Sequence, residues 1–301
     1  MSITVTPTHP EFVAEISGVD LARPLQPADR DAIEDVINRY AIVVFHDQTL
    51  TDHQQIDFAR HFGPIQSSAQ KARHTAIKHR IASNDIADIS NLDGDGKVLE
   101  PDSKRRLDWL ANRLWHTDAS FRAVPGALSM LYAHVVPDEG GETEFADCRA
   151  AYDALPDALR AEAEQRFAEH WVHHSRSTLG WEPSDEEIHG SMPPVRWPLV
   201  RVHSGSGREV LYMGAHARRV IGMPLPAGRI LLRDLVEHAT QPAFVYRHAW
   251  RSGDLVLWDN RAVMHRGCRY DLSHVRDMRR TTVLDLQSIN ERDCEDDLAA
   301  A

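Results

Sequence analysis

His116 and Asp118 stand two positions apart in WHTDASF, residues 115 to 121, between aromatic side chains. In a helix that spacing turns the two side chains apart. In a strand it places them on one face, because side chains alternate with period two. Trp115, Thr117 and Phe121 favour extended chain, so the stretch is expected to be a strand that leans an imidazole and a carboxylate into the same space. Two ligands of one metal ion would be placed in this way. A lone H-x-D in a chain of eighteen histidines also has a plain explanation, a surface strand with a local His–Asp contact.

A second stretch, GDLVLWDNRAVMHRGCRYD, shifts the balance. Gly253 and Asp254 read as a turn, LVLW as a buried strand, Asp259 and Asn260 as another turn, and AVMH as a returning strand. His265 then ends a hairpin-like element 149 residues beyond His116. Two neutral histidines and a carboxylate form the facial triad of non-haem Fe(II) oxygenases, which leaves three adjacent coordination positions open. Beyond it, HVRDMRRTTVLDL carries Arg276 and Arg280, eleven and fifteen positions after His265. An arginine projecting into an apolar barrel is costly unless it meets an anion, and its planar fork suits a carboxylate. Arg279 is expected to be a solvated cation of a basic turn, while TTV after Arg280 suggests a chain entering the core.

The elements that must position these residues follow from pattern. PADRDAIEDVINRY sets Ile33, Val36, Ile37 and Tyr40 on one helical face, with Pro27 near its start. AIVVF (41 to 45) reads as a buried strand, and TDHQQIDFARHFG as a helix opened by a Thr51–Gln54 capping box and stopped at Gly63. Residues 66 to 113 are polar and mixed in charge, with LDGDGK a turn; so long a loop region is expected to form an active-site wall or lid. DCRAAYDALPDALRAEAEQRFAEHW reads as helical, with Asp147 as N-cap and Pro156 beginning a second segment. ALSMLYAHVV and the runs PLVRVH, EVLYMG, AFVYRHAW, DLVLWD, AVMHRG and RTTVLDL read as strands, with GRILLRDLVEHAT a helix among them. Many short strands separated by turns imply a mainly β protein, a sandwich or jelly roll with flanking helices. No linker or repeat divides the chain, so a single domain over 1–301 is expected.

The chain of 301 residues is 42% hydrophobic with a net charge of −11. That acidic total does not invite nucleic acid, although a local basic site remains open. Three cysteines without a C-x-x-C pair argue against a disulfide scaffold or a structural zinc site. No stretch approaches the roughly 20 apolar residues of a membrane span, and MSITVTPTHPEF lacks a targeting pattern. A cytoplasmic protein is expected.

Taken together, HTD, GGETEF, WDNRAVMHRG and R-x-x-x-R-T-T resemble the taurine/2,4-dichlorophenoxyacetate dioxygenase family of Fe(II)- and 2-oxoglutarate-dependent enzymes. EISGVDL, FGPI and RAAYDALP extend the resemblance, while MPPVRWPLVRVHSGSGR and LVEHATQPAFVYRH look closer to the 2,4-dichlorophenoxyacetate branch. The resemblance implies a double-stranded β-helix (jelly roll) core, with Fe(II) held by His116, Asp118 and His265. It further implies 2-oxoglutarate and O2 as cosubstrates. The distal carboxylate of 2-oxoglutarate would meet Arg276 and the hydroxyl of Thr143, and Arg280 would lie nearer the iron. A halogenating relative replaces the carboxylate ligand with a small residue; this chain keeps Asp118, so hydroxylation is expected.

The branch implies a small anionic substrate, an aryloxyacetate, hydroxylated between ether oxygen and carboxylate to give a phenol and glyoxylate. Lys71, Lys97 and His216 fall where that branch carries candidate substrate contacts, and KARHTAIKHR would be a basic loop at the entrance. The same chemistry on a sulfonate, an alkyl sulfate or another small acid is the first alternative. A non-catalytic metal-binding jelly roll or a zinc hydrolase is the remote one, and the absence of H-E-x-x-H weighs against the latter. No membrane partner is expected, and a homo-oligomer is compatible with the sequence.

Overall fold

The runs AIVVF, LVLW and ALSMLYA leave no polar face, so their strands need cover on both sides. In the computed structural model, which describes residues 3–68, 78–184, 187–188 and 192–288, they are neighbours in a seven-stranded sheet. Its strands are β1 (Thr4–Pro7), β2 (Val13–Ser17), β3 (Ile42–Phe45), β4 (Ala87–Asp88), β5 (Gly126–Val135), β13 (Leu255–Asp259) and β15 (Asp277–Leu284), in the order β1-β2-β3-β13-β5-β15-β4. A three-stranded sheet, ordered β12-β6-β14, holds β6 (Thr143–Asp147), β12 (Val245–His248) and β14 (Val263–Gly267). Another, ordered β11-β7-β8, holds β7 (Phe167–His170), β8 (Val195–Pro198) and β11 (Ala217–Val220), and β9 (Val200–Val202) pairs with β10 (Glu209–Leu211).

Alternation along the central strands sorts their side chains into two cores. Ile42, Val44, Leu131, Ala133, Val256 and Trp258 pack with Phe145 and Val263 of the β6 sheet, filling the space between sheets. Val43, Phe45, Met130, Leu255 and Leu257 face the other way, where helices α1 (Pro27–Tyr40) and α2 (Asp52–Arg60) cover them through Ile33, Ile37 and Phe58. Thr51 and Gln54 close the expected capping box on α2, worth about 1 kcal/mol. Helices α3 (Lys104–Trp109), α4 (Cys148–Asp153), α5 (Asp157–Ala163), α6 (His174–Ser177) and α7 (Leu225–Ala239) complete a mainly β protein with flanking helices. Of these, α4 and α7 pack on the outer face of the β6 sheet through Tyr152, Leu231 and Leu235 against Ala146 and Met264.

Several expectations need correction. WHTDASF is not a strand: only His116 forms a bridge, to His265, and the chain turns from Asp118 onward with Ala119 left-handed at φ 59°. β13 and β14 are not a hairpin, because β13 pairs with β3 and β5 while β14 crosses to pair with β6. RFAEHW, expected to end a helix, contains β7 at Phe167–His170; the helix stops at Ala163, before Gln165, which is left-handed at φ 59°. A hairpin of β1 and β2 precedes α1 and had no strong signal. Part of the expected loop region is ordered as β4, α3 and a 3-10 turn over Leu110–Arg113, with Ser103 capping α3. Among the described residues no helix is long and apolar enough to cross a membrane.

Candidate active site and metal centre

The bridge between His116 and His265 is antiparallel and bonded both ways, at 3.0 and 2.8 Å, so the two imidazoles rise side by side with ring centroids 4.3 Å apart. The turn after Thr117, whose hydroxyl donates to the Val263 carbonyl, brings Asp118 between them. Its oxygens lie 4.0 Å from His116 Nε2 and 3.8 Å from His265 Nε2. One donor atom from each of the three lies within 4.8 Å of the other two, and all three residues are buried. The separations exceed hydrogen-bond length, so the donors converge on a shared point instead of pairing with one another. His116 Nδ1 lies 2.7 Å from the Leu114 carbonyl, which accepts only from a protonated Nδ1 and thereby leaves the Nε2 lone pair facing inward. Burial keeps His116 and His265 below the ordinary imidazole range, in the neutral form a metal requires. Burial alone would raise Asp118, but the Arg280 guanidinium and the hydrogen bond from Ser129 hold it below the usual carboxylate range. This donor set suits a divalent first-row metal with open positions.

Asp118 is fixed from behind. Ser129 on β5 donates to Asp118 Oδ2 at 2.8 Å, the Asn260 amide donates to Ser129 Oγ at 2.9 Å, and the Trp258 indole donates to Asn260 Oδ1 at 2.9 Å. The other oxygen, Oδ1, is ion-paired with Arg280. Sheet alternation explains why Arg280 is here: it lies opposite Leu131 on the face that points between the sheets. Arg279, expected to be solvated, is instead 8% exposed on the opposite face, tied to Asp277, Asp88 and Asp52. One position along a strand reverses the side chain's surroundings.

Arg276 and Thr143 stand at the open end of the β6 sheet. The GG turn before Thr143 requires both Gly140 (φ 76°) and Gly141 (φ 73°), and a Cβ on Gly140 would come within 2.4 Å of the Arg269 carbonyl. Arg276 donates from Nη2 to the Gly141 carbonyl at 3.3 Å, and its buried Nε has no partner. Burial holds its guanidinium below the usual range, and among the described residues no carboxylate pairs with it. It lines a solvent-open pocket of about 560 Å³, mouth included, with Tyr270, Asn91 and Arg106. A buried guanidinium with an unused donor fits a guest carboxylate. Thr143 Oγ1 accepts from the Trp250 indole at 3.0 Å, which leaves the threonine proton free to be donated elsewhere.

The metal-facing cleft, about 1050 Å³ with its open mouth, is lined by His116, Asp118 and Arg280 together with Phe121, Trp109 and His216. His216 is buried, 4.7 Å edge-on from the Phe121 ring and 6.1 Å from His116. Lys97 is not brought to this cleft. It is exposed on the 93–97 turn, where its backbone N–H donates to Asp93 Oδ1 at 2.9 Å, and LDGDGK therefore closes on itself outside. Lys71 lies outside the described residues. The described end of KARHTAIKHR is not a free basic surface, since Lys78 pairs with Asp95 and Arg80 with Asp88 and Asp277. No site role was legible in sequence for Ser129, Asn260, Trp250 or the cleft arginines Arg105, Arg122 and Arg176. Only Asn260, inside WDNRAVMH, had a visible motif.

A family model described as "Taurine catabolism dioxygenase TauD, TfdA family" matches residues 4–282. The alpha-ketoglutarate-dependent 2,4-dichlorophenoxyacetate dioxygenase of Cupriavidus pinatubonensis (strain JMP 134 / LMG 1197) is 48% identical over 285 residues, spanning 95% of this chain and 99% of that protein. The (S)-phenoxypropionate/alpha-ketoglutarate-dioxygenase of Sphingobium herbicidovorans is 36% identical, over 91% of this chain and 92% of its own. A crystal structure of AAD-2 in complex with Mn(II) and N-oxalylglycine superposes with a TM-score of 0.86 at 47% identity, covering 95% of this chain and 98% of that one.

Proposed function

This chain belongs to the taurine catabolism dioxygenase TauD, TfdA family, and on that premise we propose that it hydroxylates an aryloxyacetate of the 2,4-dichlorophenoxyacetate type. It is a 2-oxoglutarate-dependent dioxygenase that uses Fe(II), 2-oxoglutarate and O2. The observation that carries the reading is the convergence of His116, Asp118 and His265, the first two of which line a cleft that also holds Arg280. Residues 1–301 are read as one dioxygenase domain with a double-stranded β-helix core. The crossing of the chain from β13 to β14 between sheets supports that architecture.

In this reading His116, Asp118 and His265 would hold the iron, and Ser129 and Arg280 keep the Asp118 carboxylate oriented. Iron bound there would supply the activation of O2 needed to oxidise a substrate C–H bond. Arg276 pairs with the distal carboxylate of 2-oxoglutarate, and the Thr143 hydroxyl donates a hydrogen bond to the same group. Phe121, Trp109 and His216 give the substrate ring an aromatic wall and displace water from it. One atom of O2 ends in succinate and the other on the carbon between the substrate's ether oxygen and carboxylate. The resulting hemiacetal collapses to a phenol and glyoxylate, with CO2 released from 2-oxoglutarate. Because Asp118 occupies the carboxylate position, the product is hydroxylated and not halogenated.

The test is turnover of 2,4-dichlorophenoxyacetate, phenoxypropionates, an alkyl sulfate and a sulfonate with Fe(II) and 2-oxoglutarate. Equimolar phenol, glyoxylate and succinate are expected from the aryloxyacetate. Sulfate or sulfite release in preference to phenol would overturn the substrate class while keeping the chemistry.

A further inference from the structure

The cleft wall carries four arginines, and three of them are already matched by carboxylates. Arg105 pairs with Asp88 at 3.0 Å, Arg176 with Asp108, and Arg280 with Asp118. The remaining wall acid, Asp85, is taken by Arg60 at 2.9 Å. Arg122 differs. Among the described residues no carboxylate pairs with it, and its one side-chain hydrogen bond is a long one, 3.4 Å to the Ser67 carbonyl. Burial, with the neighbouring Arg280 charge, pulls its guanidinium below the usual range. The wall therefore keeps one cation whose partial desolvation no protein anion offsets, and a monoanionic guest would offset it.

Its position suits that guest. The left-handed Ala119 and the bond from the Arg122 N–H to the Ala119 carbonyl, 2.9 Å, fold the chain sharply just after Asp118. Arg122 consequently stands on the same cleft wall as the metal-facing carboxylate, next to Phe121 and its edge contact with His216. An aromatic pair beside an unmatched guanidinium is complementary to a ring that bears a carboxylate on a short tether. Arg280 is less available for this task, since its guanidinium is engaged by Asp118. We propose that Arg122 binds the carboxylate of the substrate and is the residue that selects an anion over its neutral counterpart. The proposal rests on the aryloxyacetate reading above.

The experiment uses the full chain loaded with Mn(II) and N-oxalylglycine, which binds substrate without turnover. Calorimetry compares 2,4-dichlorophenoxyacetate with its neutral amide in wild type, R122Q and R122K. Wild type is expected to prefer the acid. R122Q should weaken the acid roughly ten- to a hundredfold, with the amide and N-oxalylglycine unchanged within about twofold, and R122K should recover part of the loss. In turnover, the same loss appears in the substrate KM while the 2-oxoglutarate KM stays fixed. Acid affinity in R122Q within twofold of wild type would overturn the proposal. So would equal weakening of acid, amide and N-oxalylglycine, which marks a structural role. If wild type binds neither aryloxyacetate nor amide but turns over a sulfate ester or sulfonate, the aryloxyacetate reading fails by itself. R122Q measured on that anion then decides Arg122 separately.

Discussion

Two clusters among the described residues contain two histidines and one aspartate each, and their geometry sends them to different tasks. In His116, Asp118 and His265 the imidazole nitrogens stand 4.0 and 3.8 Å from the carboxylate, too far to pair, and each carries a lone pair or an oxygen toward a common point. In His46, Asp254 and His248 the carboxylate bridges the rings directly, with His46 Nδ1 at 2.6 Å and His248 Nε2 at 3.1 Å. The Arg251 N–H also donates to Asp254 at 2.9 Å, so its lone pairs are spent inside the protein. Electrostatics follow the geometry. Burial keeps His116 and His265 low, whereas His46 is raised: burial lowers it, but Asp254 and Glu15 outweigh that effect. Residue type is shared; what separates a ligand set from a structural clasp is whether the polar atoms find each other.

The contrast breaks most sharply at its two aspartates. Asp118→Ala should abolish substrate-triggered succinate formation and weaken Fe(II) or Mn(II) binding, while melting close to wild type in the metal-free form. Unchanged turnover in that variant would remove the iron assignment. Asp254→Ala should do the reverse. Leaving His46, His248 and the Arg251 N–H without their shared acceptor should cost about 2–4 kcal/mol of stability, with metal affinity unchanged within about twofold. Denaturant unfolding and metal titration on both variants test the pair, and a loss of metal binding in Asp254→Ala would erase the distinction.

Arg276, Arg279 and Arg280 show how much of the site could be read beforehand. Their spacing marked Arg280 as core-facing, because an apolar strand follows it. It could not show that Arg279 meets Asp52 and Asp88, since those partners come from α2 and β4, far away in sequence. The metal ligands are legible through residue type and the family motif, but a shared strand face is not what brings them together. Asp118 arrives by a turn, and His116 faces His265 across a bridge that no local pattern encodes. Ser129 behind Asp118 was invisible, because a serine in an otherwise apolar strand has no partner until β5 is laid beside that turn. Lys97 shows the converse, since a lysine in a variable loop carries no signal of where that loop closes, and this one closes outward.

Trp250 links the second cluster to Thr143 and offers a finer test. Its ring lies 4.5 Å edge-on to His248, while its indole N–H donates to Thr143. By filling a lone pair of Oγ1, that bond directs the threonine proton away, toward the place proposed for the 2-oxoglutarate carboxylate. Trp250→Phe keeps the ring and removes the donor. Affinity for N-oxalylglycine should fall about three- to tenfold, with metal affinity and aryloxyacetate binding unchanged. Equal N-oxalylglycine affinity in the variant would mean that Thr143 needs no such orientation.

The smallest expected effect is the pH response of the clasp. A raised His46 favours its charged form in the folded protein, so its contribution is fully present below the unfolded value near 6.5 and fades as pH climbs through the raised folded one. Asp254 has the opposite sign. Its depressed folded value stabilises above the ordinary carboxylate range and is lost on acidification through the lowered one. His46 is partly exposed, so its share should stay below about 1 kcal/mol. His46→Gln keeps a polar group near Asp254 but cannot titrate. Thermal melts of both metal-free proteins from pH 6 to 9 should therefore converge as pH rises, wild type losing its advantage above pH 6.5. His116 and His265 titrate alike in both proteins and cancel in the difference. Parallel curves would show that His46 holds Asp254 without its charge, and would leave hydrogen bonding alone as the force in the second cluster.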